Sequence, residues 1–147
     1  MKFLENTLTF VTAMFFVSIS ALSQEKVSDQ ELTNFANAFT NIQVVNQNAQ
    51  AEMVKVIEES GMQVETFNLL YQAAQSPTPV EPEGVSTEDT EKFEVVVAKI
   101  EQMQPKFQKQ MEDAIFENDL SVERYQQMMA MIQTDEELQQ KLQSKLQ

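Results

Sequence analysis

The chain has 147 residues, with 23 Asp plus Glu against 10 Lys plus Arg and a formal net charge of -13. A surface that acidic repels phosphate backbones and anionic headgroups, which argues against nucleic-acid binding and against peripheral membrane binding. There is no Cys, His or Trp, and Gly occurs only 2 times. Disulfides, thiolate metal sites, imidazole acid–base chemistry and glycine-rich phosphate loops are therefore excluded.

Residues 1–23, MKFLENTLTFVTAMFFVSISALS, carry Lys2 at the start and an apolar run from about Leu8 to Leu22. Ala21 and Ser23 occupy the small positions of a cleavage pattern, so the segment is expected to be a signal peptide with the mature chain starting near Gln24. The apolar run is shorter than the ~20 residues a spanning helix needs. The expectation is an exported protein, periplasmic or extracellular, with no stable membrane insertion after cleavage.

Residues 24–75 form a first repeat. Ser28-Asp-Gln-Glu31 has capping-box spacing and opens a long helix. Its stripe of Leu32, Phe35, Phe39, Ile42, Ala49, Met53 and Val56 keeps one face apolar. Asn46 places an amide within that stripe. Gly61 suits a left-handed stop, and a short helix from Val64 to about Gln75 follows, with Gln63 a poor cap. Residues 76–84, SPTPVEPEG, read as an extended, semi-rigid linker.

Residues 85–147 hold a second repeat and a terminal helix. Laying Val27 on Val85 gives an offset of 58 (85 − 27) that holds without a gap to Gln75 and Gln133. Eleven of the 49 aligned positions are identical, among them Phe35/Phe93, Ile42/Ile100, Met53/Met111 and Ile57/Ile115. Ordinary residue usage would give roughly three. Ser86-Thr-Glu-Asp89 is a weaker capping box, and Phe93, Val97, Ile100, Phe107, Met111 and Ala114 carry the stripe. Gln104 answers Asn46, and Pro105 is expected to interrupt and kink the helix. Asn118-Asp119 takes the place of the glycine stop, and Ser121 caps a short helix running to about Gln133. In the tail, Thr134 and Glu137 have capping-box spacing, with Leu138, Leu142 and Leu146 on one face.

The fold class expected is thus all-α: two tandem helical hairpins, each a long helix plus a short one, with a C-terminal helix, forming a bundle. A helix from Asp29 to Ser60 would be ~48 Å long against ~18 Å for its short partner. The start of each long helix must therefore bury its face on the other copy, on the tail helix or on another subunit. A homodimer is left open, and so is the relative orientation of the copies.

With these residues in place, the chain resembles the bacterial family of exported helical proteins called domain of unknown function 4168. The resemblance rests on VSDQELTNFANAF, IEESGMQVETFNLL, its echo IFENDLSVERYQQMM, and TDEELQQKLQSKL. It spans essentially the whole mature chain and implies an exported helical protein, with no activity, cofactor or catalytic residue to carry over.

The candidate chemistry is narrow. Glu58, Glu59 and Glu65 flank one turn, and Glu117, Asp119 and Glu123 flank the other. A di-iron bundle would want Glu-x-x-His pairs, and neither turn has calcium-loop spacing. Glu81, Glu83, Glu88, Asp89 and Glu91 around the linker would collect divalent cations only loosely. No catalytic, cofactor-binding or metal residue is expected, no cofactor, and no enzyme. Met128, Met129 and Met131, with Tyr125 and Ile132 nearby, offer either an adaptable apolar face or flexible core filler. The functional expectation is a non-enzymatic protein-interaction module of the cell envelope with an unidentified protein partner. The alternative is an acidic holdase-like stress protein that binds unfolded envelope proteins.

Overall fold

The computed structural model describes residues 26–76, 82 and 84–147. Residues 1–23, expected to be a signal peptide, and most of the linker lie outside the described residues. Five helices follow in order: α1 (Asp29–Glu59), α2 (Val64–Gln75), α3 (Thr87–Phe116), α4 (Val122–Thr134) and α5 (Glu136–Lys145). No strand occurs among the described residues, so the protein is all-helical.

Both long helices start with a closed capping box. Glu31 N–H donates to Ser28 Oγ at 3.2 Å while Ser28 N–H donates to Glu31 Oε2 at 3.0 Å. Asp89 N–H donates to Ser86 Oγ at 3.1 Å, and Ser86 N–H returns to Asp89 Oδ2 at 3.2 Å. The shorter aspartate thus satisfies the same two orphan donors as glutamate.

Both long helices also end alike. Met62 N–H donates to Ile57 O at 3.4 Å and Gly61 N–H to Glu58 O at 3.0 Å. One offset later, Leu120 N–H donates to Ile115 O at 3.4 Å and Asp119 N–H to Phe116 O at 3.1 Å. These are paired Schellman bonds, each closed by an apolar contact between the first and sixth residues of the motif. Gly61 has φ +74° and Asp119 φ +55°, so the aspartate adopts the left-handed backbone that the first copy assigns to glycine. Ser121 accepts from Arg124 N–H and caps α4, whereas Gln63 makes no side-chain cap on α2.

Two expectations are corrected. α3 runs through Pro105 without the expected interruption. Proline removes one N–H, but Pro105 and Glu101 are both exposed, so the released carbonyl faces water. Buried Ile100 and Phe107 anchor the helix on either side. The tail helix is capped by Asp135, whose carboxylate accepts from Glu137 N–H at 2.9 Å and Leu138 N–H at 3.1 Å. Thr134 instead ends α4, its hydroxyl donating back to Ala130 O and Met131 O.

The described residues fall into two compact units, one ending at Asn46 and resuming from Gln108 to Gln147, the other spanning Gln47–Phe107. Each unit therefore joins the start of one long helix to the hairpin turn of the other copy. In the first, Leu32, Phe35 and Ala38 of α1 pack with Ile115 and Leu120 and with Tyr125, Met128 and Ile132 of α4. In the second, Val96 and Ile100 of α3 pack with Ile57, Met62, Phe67 and Leu70.

The two cores are the same core written twice. Under the offset of 58, Ile57, Met62, Phe67 and Leu70 become Ile115, Leu120, Tyr125 and Met128, and Ala38 becomes Val96. The aromatic pair repeats as well: Phe35 stacks on Tyr125 at 4.7 Å between ring centroids, and Phe93 meets Phe67 at 5.2 Å. The excess apolar surface at the start of each long helix is thus buried on the opposite copy.

The first unit has one addition. Leu138 and Leu142 of α5 pack against its core, which includes buried Leu32 and Ile132. The offset partners of those two residues are the smaller Thr90 and Ala74, so this part of the first core is not repeated in the second. Lys145 fastens α5 to the start of α1, donating to Asp29 Oδ2 at 3.2 Å and to Thr33 Oγ1 at 2.9 Å.

Candidate interaction surface

The acidic candidates disperse. Glu59 pairs with Lys55 at 3.7 Å and Glu88 with Lys92 at 2.8 Å, while Asp89 closes its capping box. Glu65 and Glu123 sit in the first turns of α2 and α4, where the helix dipole favours negative charge. Among the described residues no three acidic side chains are grouped so as to hold a metal ion. Glu81 and Glu83 lie outside the described residues.

The methionine cluster is mostly core. Met128 is fully buried and Met129 packs against the same cluster, while Met131 is half-buried. Burial also governs the neighbouring phenol: the apolar surroundings of Tyr125 push its pKa up to about 12. Met128, Tyr125 and Ile132 therefore fill the interior and present no adaptable external face.

Apolar surface lies elsewhere, at positions sequence periodicity did not single out. In the first unit Val44 is 51% and Phe116 58% exposed; in the second Leu69 is 50% and Val95 54% exposed. Each has a polar counterpart at the same place in the other copy: Gln102, Glu58, Gln127 and Asn37 respectively. Each of the four positions is thus polar in one copy and apolar in the other, so at none of them does the hairpin require an apolar residue. That comparison was available in the sequence once the offset was fixed, but the exposure of the four positions was not.

The chain is strongly acidic, and most of its described cations are engaged in ion pairs. Lys106 bridges to both carboxylate oxygens of Glu52 at 2.8 Å, Lys109 pairs with Asp113 at 2.6 Å, and Lys141 pairs with Glu137 at 2.6 Å. No helix of the described residues is long and apolar enough to cross a membrane.

The fold and its surface define an acidic, all-helical protein built of two helical-hairpin copies. The chain belongs to the family described as Domain of unknown function (DUF4168), whose model matches residues 28–142. No curated protein and no solved structure matches it.

Proposed function

We propose that this chain is a non-enzymatic protein-interaction module of the cell envelope, exported by means of residues 1–23. It engages a protein partner through the apolar side chains that its own packing leaves uncovered. The observation carrying this reading is that Val44, Leu69, Val95 and Phe116 stand exposed where the other copy has polar residues. Large apolar groups at an otherwise charged surface gain most from being covered by a partner. The absence of His and Cys supports a role without catalysis.

The test places a photo-crosslinking residue at Phe116 or Leu69 in cells that export the full chain, with Glu58 and Gln127 as control positions. The expected result is one dominant crosslinked species from the apolar positions, lost when the remaining apolar sites are made polar. A broad set of unrelated envelope proteins would replace this reading with the holdase one. Equal yields at apolar and control positions would remove both.

A further inference from the structure

Neither copy of the hairpin owns a core. In the first unit, Leu32, Phe35 and Ala38 come from the first copy, and Ile115, Leu120, Tyr125 and Met128 from the second. In the second unit the shares are reversed, with Ile57, Met62, Phe67 and Leu70 from the first copy and Val96 and Ile100 from the second. The ion pairs cross in the same manner. Glu31 meets Arg124 at 2.9 Å in one unit, and Glu52 meets Lys106 at 2.8 Å in the other. What joins the copies covalently is one segment, residues 76–84.

We propose that the interface between the copies is a protein-binding surface in its own right, and that it accepts a second chain of the same protein. Two chains exchange first copies, so that each first copy closes both cores with the second copy of the other chain. Every core contact and ion pair that runs from one copy to the other is then re-formed between chains, while the contacts within a copy are kept. Within a single chain the linker keeps the local concentration of the matching copy in the millimolar range, by the usual behaviour of short linkers. The exchanged dimer is consequently favoured when chains fold together at high concentration, the general circumstance for swapping an identical element.

Complementary charge reversal distinguishes the two arrangements. Glu31→Arg with Glu52→Lys places like charges against Arg124 and Lys106 within one chain; Arg124→Glu with Lys106→Glu does so against Glu31 and Glu52. When the first variant exchanges copies with the second, all four oppositely charged pairs return. Each full-length variant should refold alone as a monomer, and the two unfolded and refolded together should double in mass by light scattering. Native mass spectrometry should then find one chain of each kind. A mixture that stays at single-chain mass would overturn the proposal. Should a variant fail to fold, a protease site inserted at exposed Gly84 of the otherwise unaltered chain provides the second measurement. After cleavage the two pieces should elute together as a one-to-one complex, and their separation under native conditions would equally overturn it.

Discussion

Glu31 Oε1 accepts from both Nε and Nη2 of Arg124 at 2.9 Å, across 93 positions of sequence, while its Oε2 accepts from Ser28 N–H at 3.0 Å. One carboxylate thus caps α1 and ties it to α4. The side chains are 17% exposed for Arg124 and 32% for Glu31, so solvent screens the pair only in part. Arg124→Ala should cost about 1 kcal/mol. Glu31→Ala should cost about 2 kcal/mol, because it also opens the capping box. Urea denaturation of both single variants and the double variant gives the coupling energy. A value indistinguishable from zero would mean the ion pair contributes nothing beyond the cap.

The two capping boxes make the fold sensitive to acid. Glu31 is held below its ordinary value of 4.5, first by the Ser28 N–H and then by the Ser28 hydroxyl and Arg124, against an opposing effect of burial. Asp89 is held below 3.8 by the Ser86 hydroxyl and then the Ser86 N–H. A lowered carboxylate contributes stability that is fully present above its unfolded value and disappears as pH falls through its folded one. The melting temperature should therefore begin to drop as pH falls below 4.5, the higher of the two ordinary values. The Glu31→Ala, Asp89→Ala double variant should be less stable at neutral pH yet show a shallower acid slope. A slope as steep as that of the parent chain would assign acid sensitivity to other carboxylates.

Tyr125 sets a limit at the alkaline end. Its phenol has an ordinary value of 10.0 and is raised to about 12 by burial against the first core. A raised group contributes stability that is complete below the unfolded value and is lost as pH rises toward the folded one. The window is thus pH 10 to about 12. Phe67 occupies the equivalent position in the second core, so Tyr125→Phe fits the site. That variant should lose less stability across this window than the parent, measured by melting temperature at each pH. The lysines paired with carboxylates, Lys92, Lys109 and Lys141, also have raised values and titrate in the same direction, so an alkaline slope should remain in the variant. Tyr71 is raised as well, and phenolate absorbance should accordingly show neither tyrosine of the native protein ionising at its ordinary value.

How much of this was legible in the sequence follows from which contacts are local. The capping boxes, the Gly61 stop and the stripe through Leu32, Phe35 and Ala49 obey short-range rules, and the structure has them where spacing puts them. Ala38 and Val96, both fully buried, stand one position before Phe39 and Val97, which the apolar stripe takes at that turn. They are buried because a helix flank turns toward the other copy, which no single-helix pattern records. Met128 illustrates the same difficulty from the opposite side. Its cluster with Met129 and Met131 suits a contact face as well as a core, and the deciding partner, Phe35 and its neighbours, belongs to the other copy. Exposure of Phe116 and Leu69 was illegible for the same reason. The Asp135 cap is hidden in the sequence because Thr134 and Glu137 also satisfy capping-box spacing, and only the end of α4 at Thr134 separates them.

Asn46 carries an avoidable cost. Its side-chain oxygen is buried without a hydrogen-bond partner among the described residues, in the stripe where apolar residues otherwise prevail. An unsatisfied buried acceptor costs about 1–3 kcal/mol, and asparagine is also a weaker helix former than leucine. Asn46→Leu should therefore raise stability by about 1 kcal/mol, seen as a higher urea midpoint with an unchanged slope. A lower midpoint would show that the amide sets the helix in place through contacts that outweigh its desolvation.

The repeat offers its own control for the turn that ends each long helix. Gly61 and Asp119 are offset partners, carry the same Schellman bonds and share a left-handed backbone, at φ +74° and +55°. Only one of them is a glycine. A residue with a Cβ loses roughly 1–2 kcal/mol in this conformation, lessened for aspartate, whose short polar side chain tolerates it better than most. Replacing Asp119 by Gly removes that strain but gives the unfolded chain more freedom, and the two effects oppose each other. The net gain expected for Asp119→Gly is about 0.5 kcal/mol. Gly61→Ala runs the comparison in reverse: a Cβ there would lie 3.8 Å from Lys92 Nζ, so space is not the obstacle and the loss reports backbone strain. It should amount to about 1 kcal/mol. Opposite signs for the two substitutions, measured by urea denaturation in one buffer, would show that the turn's geometry is imposed by the cores on both copies. A destabilising Asp119→Gly would mean that the aspartate is held there by interactions of its carboxylate, and that the second copy has replaced conformational ease with side-chain bonding.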